Sequence, residues 1–419
     1  MEDPLLADLI RRCRENNLTI KQASSVIREA RFRRTILSKN LQPNIDINAS
    51  YTRTKASETV PPLSLVAKEV RNAEGFNVFS AGFDMAWEID FFGRIRRSIE
   101  AADAGVGATI EGYRDILVTL FAEVGRTYVD VRTLQQRISF AQQNIERQRG
   151  TLQLVESRYD AGLVGQLDVQ QARSNLANTE AVLPQLRLGL QAGLNQLTFL
   201  LSLEPGSLHD QLVTPAAIPD APPDVAIGLP AELLRQRPDI RGAERRLAAE
   251  TARIGIATAD LYPRFGLVGN LTGSTVDLGD IGGSGTFAIT SLMGLNIFNR
   301  GRIRNAIQAQ EESTEQALLG YENIVLFALT EVESSLVGFQ EERNHRDAIE
   351  RAVEAVEKAT ELVHVLYETG LTDFQNVLDT ERSLFLQQDQ LVASEGQLVK
   401  NLIALYKVLG GGWSPAAVR

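Results

Sequence analysis

The segment from Trp87 to Leu200 recurs, without a gap, about 208 positions further along the chain. Gly93-Arg94-Ile95-Arg96 returns as Gly301-Arg302-Ile303-Arg304, and Glu123-Val124 returns as Glu331-Val332. Tyr159-Asp160-Ala161-Gly162-Leu163 returns as Tyr367-Glu368-Thr369-Gly370-Leu371, and Leu176 falls on Leu384. A constant offset across separated motifs means that one structural unit was duplicated and its parts stayed in step. The first repeat is expected over 1–208 and the second over 231–419, with a Pro-rich linker at 209–230.

Each repeat opens with a helical pattern, Leu5 to Lys39 and then Ala231 to Asp260, stopped by Pro43 and Pro263. Period-two alternation follows, in hairpins expected over 44–91 and 264–298. Phe79, Ala81, Phe83, Met85, Trp87 and Ile89 share one face, and Ser80, Gly82, Asp84, Ala86, Glu88 and Asp90 the other. Ile45 to Tyr51 is the expected partner strand. In the second repeat Phe265–Leu271 should pair with Phe287–Ile297, where Phe287, Ile289, Met293, Leu295 and Ile297 hold one face and Ser291 breaks the row. Such strands have the ~9–11 residues a membrane-crossing strand requires, although half-buried strands of a soluble sheet alternate too.

A very long helix follows each hairpin. Leu117, Val124, Val131, Ile138, Ile145, Leu152 and Tyr159 are spaced at sevens, the mark of a coiled-coil seam. The second copy keeps Val325, Val332, Phe339, Val353 and Tyr367 on the line but admits Arg346 and Thr360. A helix from Gly93 to Tyr159 would be on the order of 100 Å long. Gly162 and Gly370 are placed to end these helices and turn the chain, and antiparallel helices return to about Leu200 and Leu409.

Charge and composition narrow the function. A formal charge of −10 argues against a nucleic-acid partner. No run of about 18 apolar residues offers a membrane-spanning helix, which leaves barrel strands open. Cys13 is the single cysteine, so neither an intramolecular disulfide nor a cysteine-based zinc site is available. The histidines His209, His345 and His364 lack metal-ligand spacing, and no nucleophile motif is evident. Gly279 to Gly285 resembles a phosphate loop in composition only. No enzyme chemistry, cofactor or metal is expected.

Four strands cannot close a membrane barrel, since the smallest known have about eight. At least two chains must share one barrel, and an eight-stranded barrel is filled by its own side chains, so an open conduit needs more. Three chains give twelve strands, with the long helices as a tube beneath.

Three strings carry a family resemblance: Trp87-Glu88-Ile89-Asp90-Phe91-Phe92-Gly93-Arg94, Leu229-Pro230-Ala231-Glu232-Leu233-Leu234-Arg235-Gln236-Arg237-Pro238-Asp239-Ile240, and Tyr406-Lys407-Val408-Leu409-Gly410-Gly411-Gly412-Trp413. From about Asp3 to Trp413 the chain resembles a TolC-like outer-membrane efflux protein, nearest the lipoprotein subgroup of RND-type drug-efflux systems. The resemblance implies a mainly α fold with transmembrane β: a homotrimer whose hairpins form a twelve-strand barrel in outer-membrane lipid, continued by an α-helical tunnel into the periplasm. It further implies a passive exit duct for drugs and other small molecules, a periplasmic adaptor (membrane fusion) protein and an inner-membrane transporter. Family members begin with a signal peptide and a lipidated cysteine; Met1-Glu2-Asp3-Pro4 is neither, and Cys13 lies inside the first helix, so the chain is expected to be trimmed at its start.

The resemblance also assigns residues. Asp168 and Tyr367 match a latch in which a carboxylate accepts a hydrogen bond from a phenol, and Thr372 stands where one member has an arginine. Asp379 matches the acid ringing the aperture, and Arg382 at i+3 is expected to pair with it. Gln375 and Asn376 stand where members carry an apolar gate residue and a second acid, which implies a hydrophilic constriction. The turn residues Gly162, Leu163, Gly370 and Leu371 match the region that meets the adaptor. A duct for type I protein secretion is the alternative within the family. A cytoplasmic coiled-coil scaffold would explain the heptads but not two equivalent strand hairpins. A periplasmic adaptor usually carries one helical hairpin flanked by small β-domains, where this pattern has two hairpins and no such domains.

Overall fold

The computed structural model describes residues 3–55, 76–220, 235–280, 283 and 285–411. The chain order is α1 (Pro4–Asn16), α2 (Leu18–Lys39), β1 (Asn44–Thr54), β2 (Phe76–Ile89), α3 (Arg94–Asp160), α4 (Gln166–Leu200) and α5 (His209–Leu212). Then come α6 (Pro238–Ala259), β3 (Arg264–Thr275), a 3-10 turn (Leu278–Asp280), β4 (Gly285–Gly294), α7 (Arg300–Glu368) and α8 (Phe374–Val408). The chain forms two compact units, and each draws on both repeats. One is helical, from Met1–Ser25, Ile110–Gly242 and Glu322–Arg419; the other holds the strands, from Val26–Thr109 and Ala243–Tyr321.

In the strand unit all four strands make one antiparallel sheet in the order β1-β2-β3-β4. Its register sorts the faces as the alternation demands. Ile45 pairs with Met85, Ile47 with Phe83, Phe83 with Leu271, and Leu271 with Phe287, all on one face. Ser291 lies on that face opposite Leu267. Asp46, Asp84 and Asn270 line up across the other. β2 and β3 approach so closely that a Cβ on Gly82 would strike the Leu271 carbonyl oxygen, which restricts that position to glycine. Ile47, Phe287, Ile289 and Met293 are exposed, and β1 and β4 are edges. Open, apolar edges of this kind need a partner.

In the helical unit α1, α3, α4 and α5 bury Leu9, Leu117, Val124, Val131, Leu197 and Leu212 together. The Tyr128 hydroxyl donates to Asp3 at 2.6 Å, and Asp3 in turn caps α1 by accepting from Leu5 and Leu6.

Three expected elements change. The helix expected from Leu5 to Lys39 is broken at Asn17, whose side-chain oxygen accepts from the Thr19 and Ile20 amides. Its amide nitrogen donates to Leu200 at 2.7 Å, so the break is a tertiary anchor as well as an N-cap. The helix expected from Ala231 begins at Pro238, a residue suited to the first helical position because it needs no amide partner; 221–234 lie outside the described residues. Leu295 and Ile297 fall beyond β4. The ladder stops at the Arg264–Gly294 pair because Pro263, next on the facing chain, has no N–H to offer. Tyr159, expected on the α3 seam, is exposed.

Candidate functional site at the helix turns

The two long helices end alike. At the end of α3 the Gly162 amide donates to Tyr159 O at 2.8 Å, and the Leu163 amide to Arg158 O at 2.9 Å. At the end of α7 the Gly370 amide donates to Tyr367 O at 3.0 Å, and the Leu371 amide to Leu366 O at 2.8 Å. Both are Schellman turns, with glycine φ of +73° and +74°. Such turns usually tuck the residue after the glycine against the helix end; here Leu163 is 67% and Leu371 75% exposed. The tip leucines therefore stand clear of their own chain.

Beneath the turns lies a small apolar cluster containing Val155, Val169, Ala172, Tyr367, Phe374, Val377 and Leu378. Tyr367 is 3% exposed, with its ring 5.6 Å from that of Phe374 and 4.7 Å below the Arg158 guanidinium. Burial pushes its phenol pKa up; Arg158 opposes the rise and the Asp168 charge adds to it. The expected hydrogen bond to Asp168 is not formed, because the Tyr367 hydroxyl has no partner among the described residues. Arg158 instead holds the end of α7, donating to Tyr367 O at 2.7 Å and Glu368 O at 3.3 Å. Thr372 serves neither residue; it accepts from Asn376 at 2.8 Å.

Gln375, Asn376 and Asp379 are exposed on the first turns of α8, and Gln375 donates to Asp379 at 2.9 Å. The expected Asp379–Arg382 pair is not what forms. Arg382 reaches across to Asn175 on α4 at 3.1 Å, drawn by an amide oxygen that local spacing could not reveal. This leaves the Asp379 charge with an uncharged neighbour.

Sequence reasoning missed a buried polar layer just beyond this face. Glu381, 5% exposed, accepts from Thr151 at 2.5 Å and from Asn175 at 3.4 Å, and lies 3.2 Å from His364 Nε2. One heptad on, Gln388 accepts from Asn144 at 3.0 Å and donates to Glu357 at 2.7 Å. Each layer links three or four long helices. The signal was present: Glu381 and Gln388 interrupt, at intervals of seven, the row begun by Phe374. Among the described residues no cluster of His, Cys, Asp and Glu could hold a metal ion.

The strings that carried the resemblance also have structural work. Asp90 accepts from the Ile95 and Arg96 amides at 2.9 and 2.8 Å, which starts α3, while Glu88 grips Arg94 through two hydrogen bonds of 3.0 and 2.7 Å. Buried Arg237 donates to Val408 O at 2.9 Å, closing α8, and pairs with Asp239 and Glu331. Leu229–Leu234 and Gly412–Trp413 lie outside the described residues.

A family model described as outer membrane efflux protein matches residues 9–202 and 229–411, both repeats of this geometry. The chain belongs to the outer membrane efflux protein family. It is 32% identical over 413 residues to the pyoverdine export outer membrane protein OpmQ of Pseudomonas putida, covering 98% of this chain and 86% of that protein. It is 29% identical over 416 residues to the toluene efflux pump outer membrane protein TtgI of Pseudomonas putida, covering 99% and 86%. The solved outer-membrane channel OprN superposes with a TM-score of 0.92 at 33% identity, over 99% of this chain and 92% of that one. As an outer membrane efflux protein the chain is a subunit of a trimeric channel with a shared β-barrel and an α-helical tunnel, and it serves as an efflux duct. The four-stranded sheet with two open edges is one third of that barrel. The scaffold and adaptor readings fall with the match across both repeats.

Proposed function

We propose that this chain is the outer-membrane exit duct of a tripartite small-molecule efflux pump, with its aperture lined by the first turns of α8. The carrying observation is the exposed polar face of Gln375, Asn376 and Asp379, whose carboxylate is bonded to Gln375 and not neutralised by Arg382. Three such carboxylates around one axis would attract cations and repel anions. Leu163 and Leu371 are the contact for a periplasmic adaptor, and the inner-membrane transporter chooses the cargo. The relatives named for pyoverdine export and toluene efflux favour small molecules over secreted protein.

Single-channel recording in planar bilayers tests the duct. Small, cation-selective currents are expected, with Asp379→Asn weakening the preference for cations. Protein that carries no current and stays soluble without detergent would overturn the reading. Gly162→Pro and Leu371→Asp should each abolish pumping in cells while trimers still form; full activity in both removes the adaptor contact.

A further inference from the structure

The geometry points to Arg158 as the clamp that fastens the two helix hairpins of one chain together at their tips, and so sets how readily the aperture opens. This rests on the aperture reading above and names its control. Arg158 sits in the last turn of α3, yet its side chain serves the other hairpin. Nη1 donates to Tyr367 O at 2.7 Å and to Glu368 O at 3.3 Å. These carbonyls belong to the last turn of α7, where Tyr367 O accepts from the Gly370 amide as well and the dipole favours a cation. The guanidinium carbon lies 4.7 Å from the centre of the Tyr367 ring, and Nη2 lies 3.9 Å from where a Cβ on Gly370 would stand. One side chain therefore touches the final carbonyls, the buried aromatic and the turn of the second hairpin.

Two further observations separate a control element from an ordinary cap. The clamp runs one way: the position of the second repeat that matches Arg158 is Leu366, an exposed apolar residue that cannot return the contact. The clamped arrangement also leaves two polar atoms at the same spot, Arg158 Nε and Tyr367 Oη, buried and without partners among the described residues. Buried polar groups are normally satisfied, and an orphaned donor works against the arrangement that holds it. A contact that attracts through three groups while orphaning two others is poised to release. When the hairpins part, water or Asp168, whose charge is already felt at the phenol, can take up the freed atoms. The apolar cluster of Val155, Val169, Tyr367 and Phe374 joins the same two hairpins, so the clamp acts on top of a shared apolar contact.

Recording from full-length trimers in planar bilayers tests this with Arg158→Gln, Arg158→Lys and Asp379→Asn. Arg158→Gln should raise the open-to-closed ratio roughly tenfold, because a cation at a helix end and a cation over a ring each contribute part of that factor. Arg158→Lys keeps the charge but loses the planar fork, so it should fall between wild type and Arg158→Gln; a residue that only capped the helix would give no such graded change in gating. Unchanged gating in Arg158→Gln, with trimers intact, overturns the clamp. If Asp379→Asn alters ion selectivity in that case, the aperture reading survives the loss of the clamp; if it does not, both fall. Should Arg158→Gln not assemble, Tyr367→Leu tests the same contact from the other side, and it too must raise opening.

Discussion

The return helices α4 and α8 descend from one duplicated segment and have the same length, 35 residues, yet they occupy different environments. α4 buries nine residues and leaves Leu167, Leu188 and Phe199 exposed. α8 buries fourteen, among them Glu381, Gln388 and Gly396, which face other helices of the same chain. Duplication supplied two copies of one scaffold, and divergence then decided how much of each packs inside the chain's own bundle, although α8 still exposes Leu386 and Tyr406. The long helices divide the same way at their ends: Tyr159 is 43% exposed, whereas its counterpart Tyr367 is 3% exposed under Arg158.

The sharpest test of this asymmetry is a pair of substitutions at one repeat position. Gly396 on α8 lies against Thr133 of α3 so tightly that an added Cβ would collide with its hydroxyl. Thr133 is buried, and its hydroxyl already donates to Val129 O at 2.8 Å, so it has little room to yield. Gly396→Val should destabilise the folded chain by about 3 kcal/mol, as overpacking of a close helix contact does. The matching Leu188→Val on exposed α4 should change stability by less than about 0.5 kcal/mol. Thermal unfolding followed by circular dichroism measures both, and equal losses would erase the distinction between the helices.

The next largest contrast lies where strand passes into helix. In the first repeat Asp90, its side chain 6% exposed, starts α3. Phe298 stands at the matching place before α7, 99% exposed, and Asn296 takes the place of Glu88. Asp90→Ala should cost about 2 kcal/mol, an N-cap plus the ion pair to Arg96, and Asn296→Ala close to nothing. The acid end of the stability profile should report the same residue. Burial pushes the Asp90 carboxyl up, but the Ile95 and Arg96 amides and the Arg96 side chain outweigh it and hold it below 3.8. With the folded value depressed, its contribution is complete above 3.8 and lost as pH falls through the lower value; Asp90→Ala should flatten that loss.

These contrasts also mark where sequence reading stops. The 208-residue offset, the alternating strands and the turn glycines were legible because each is a local or self-repeating pattern. Asn17 was not, since a helix-compatible asparagine becomes a break only when Leu200 supplies a carbonyl 183 residues away. The i+3 spacing pairs Arg382 with Asp379, and the amide oxygen of Asn175 on another helix overrides it. The expected hydrogen bond between Asp168 and Tyr367 gives way to a guanidinium from the opposite hairpin, which claims the ring. Local spacing tells which groups are near along one helix; it does not rank them against partners arriving from others.

The turns themselves are where the copies should remain equal. Gly162 and Gly370 share a left-handed backbone, and an added Cβ meets nothing within 4 Å at the first and only the Arg158 side chain at 3.9 Å at the second. Each Gly→Ala should therefore cost about 1 kcal/mol, from backbone strain alone. A markedly larger loss at Gly370 would show that the Arg158 contact has made the second turn less tolerant than the first.

The smallest effect is expected at position 395 on α8, matched by exposed Arg187 on α4. Glu395 lines a cavity of about 390 Å³ with Asp220, Arg343 and Arg346. Burial pushes its pKa above 4.5; Arg346 opposes the rise, while Glu350 and Asp220 add to it. The sign is opposite to that of Asp90. The folded state here binds the proton more tightly than the unfolded chain, so stability from this group is present below the unfolded value and lost as pH rises through the folded one. Glu395→Gln should accordingly make the protein slightly more stable at neutral pH and leave it unchanged at pH 4, whereas Arg187→Gln should alter neither. Equal shifts at both pH values would mean that Glu395 acts through packing and not through its charge.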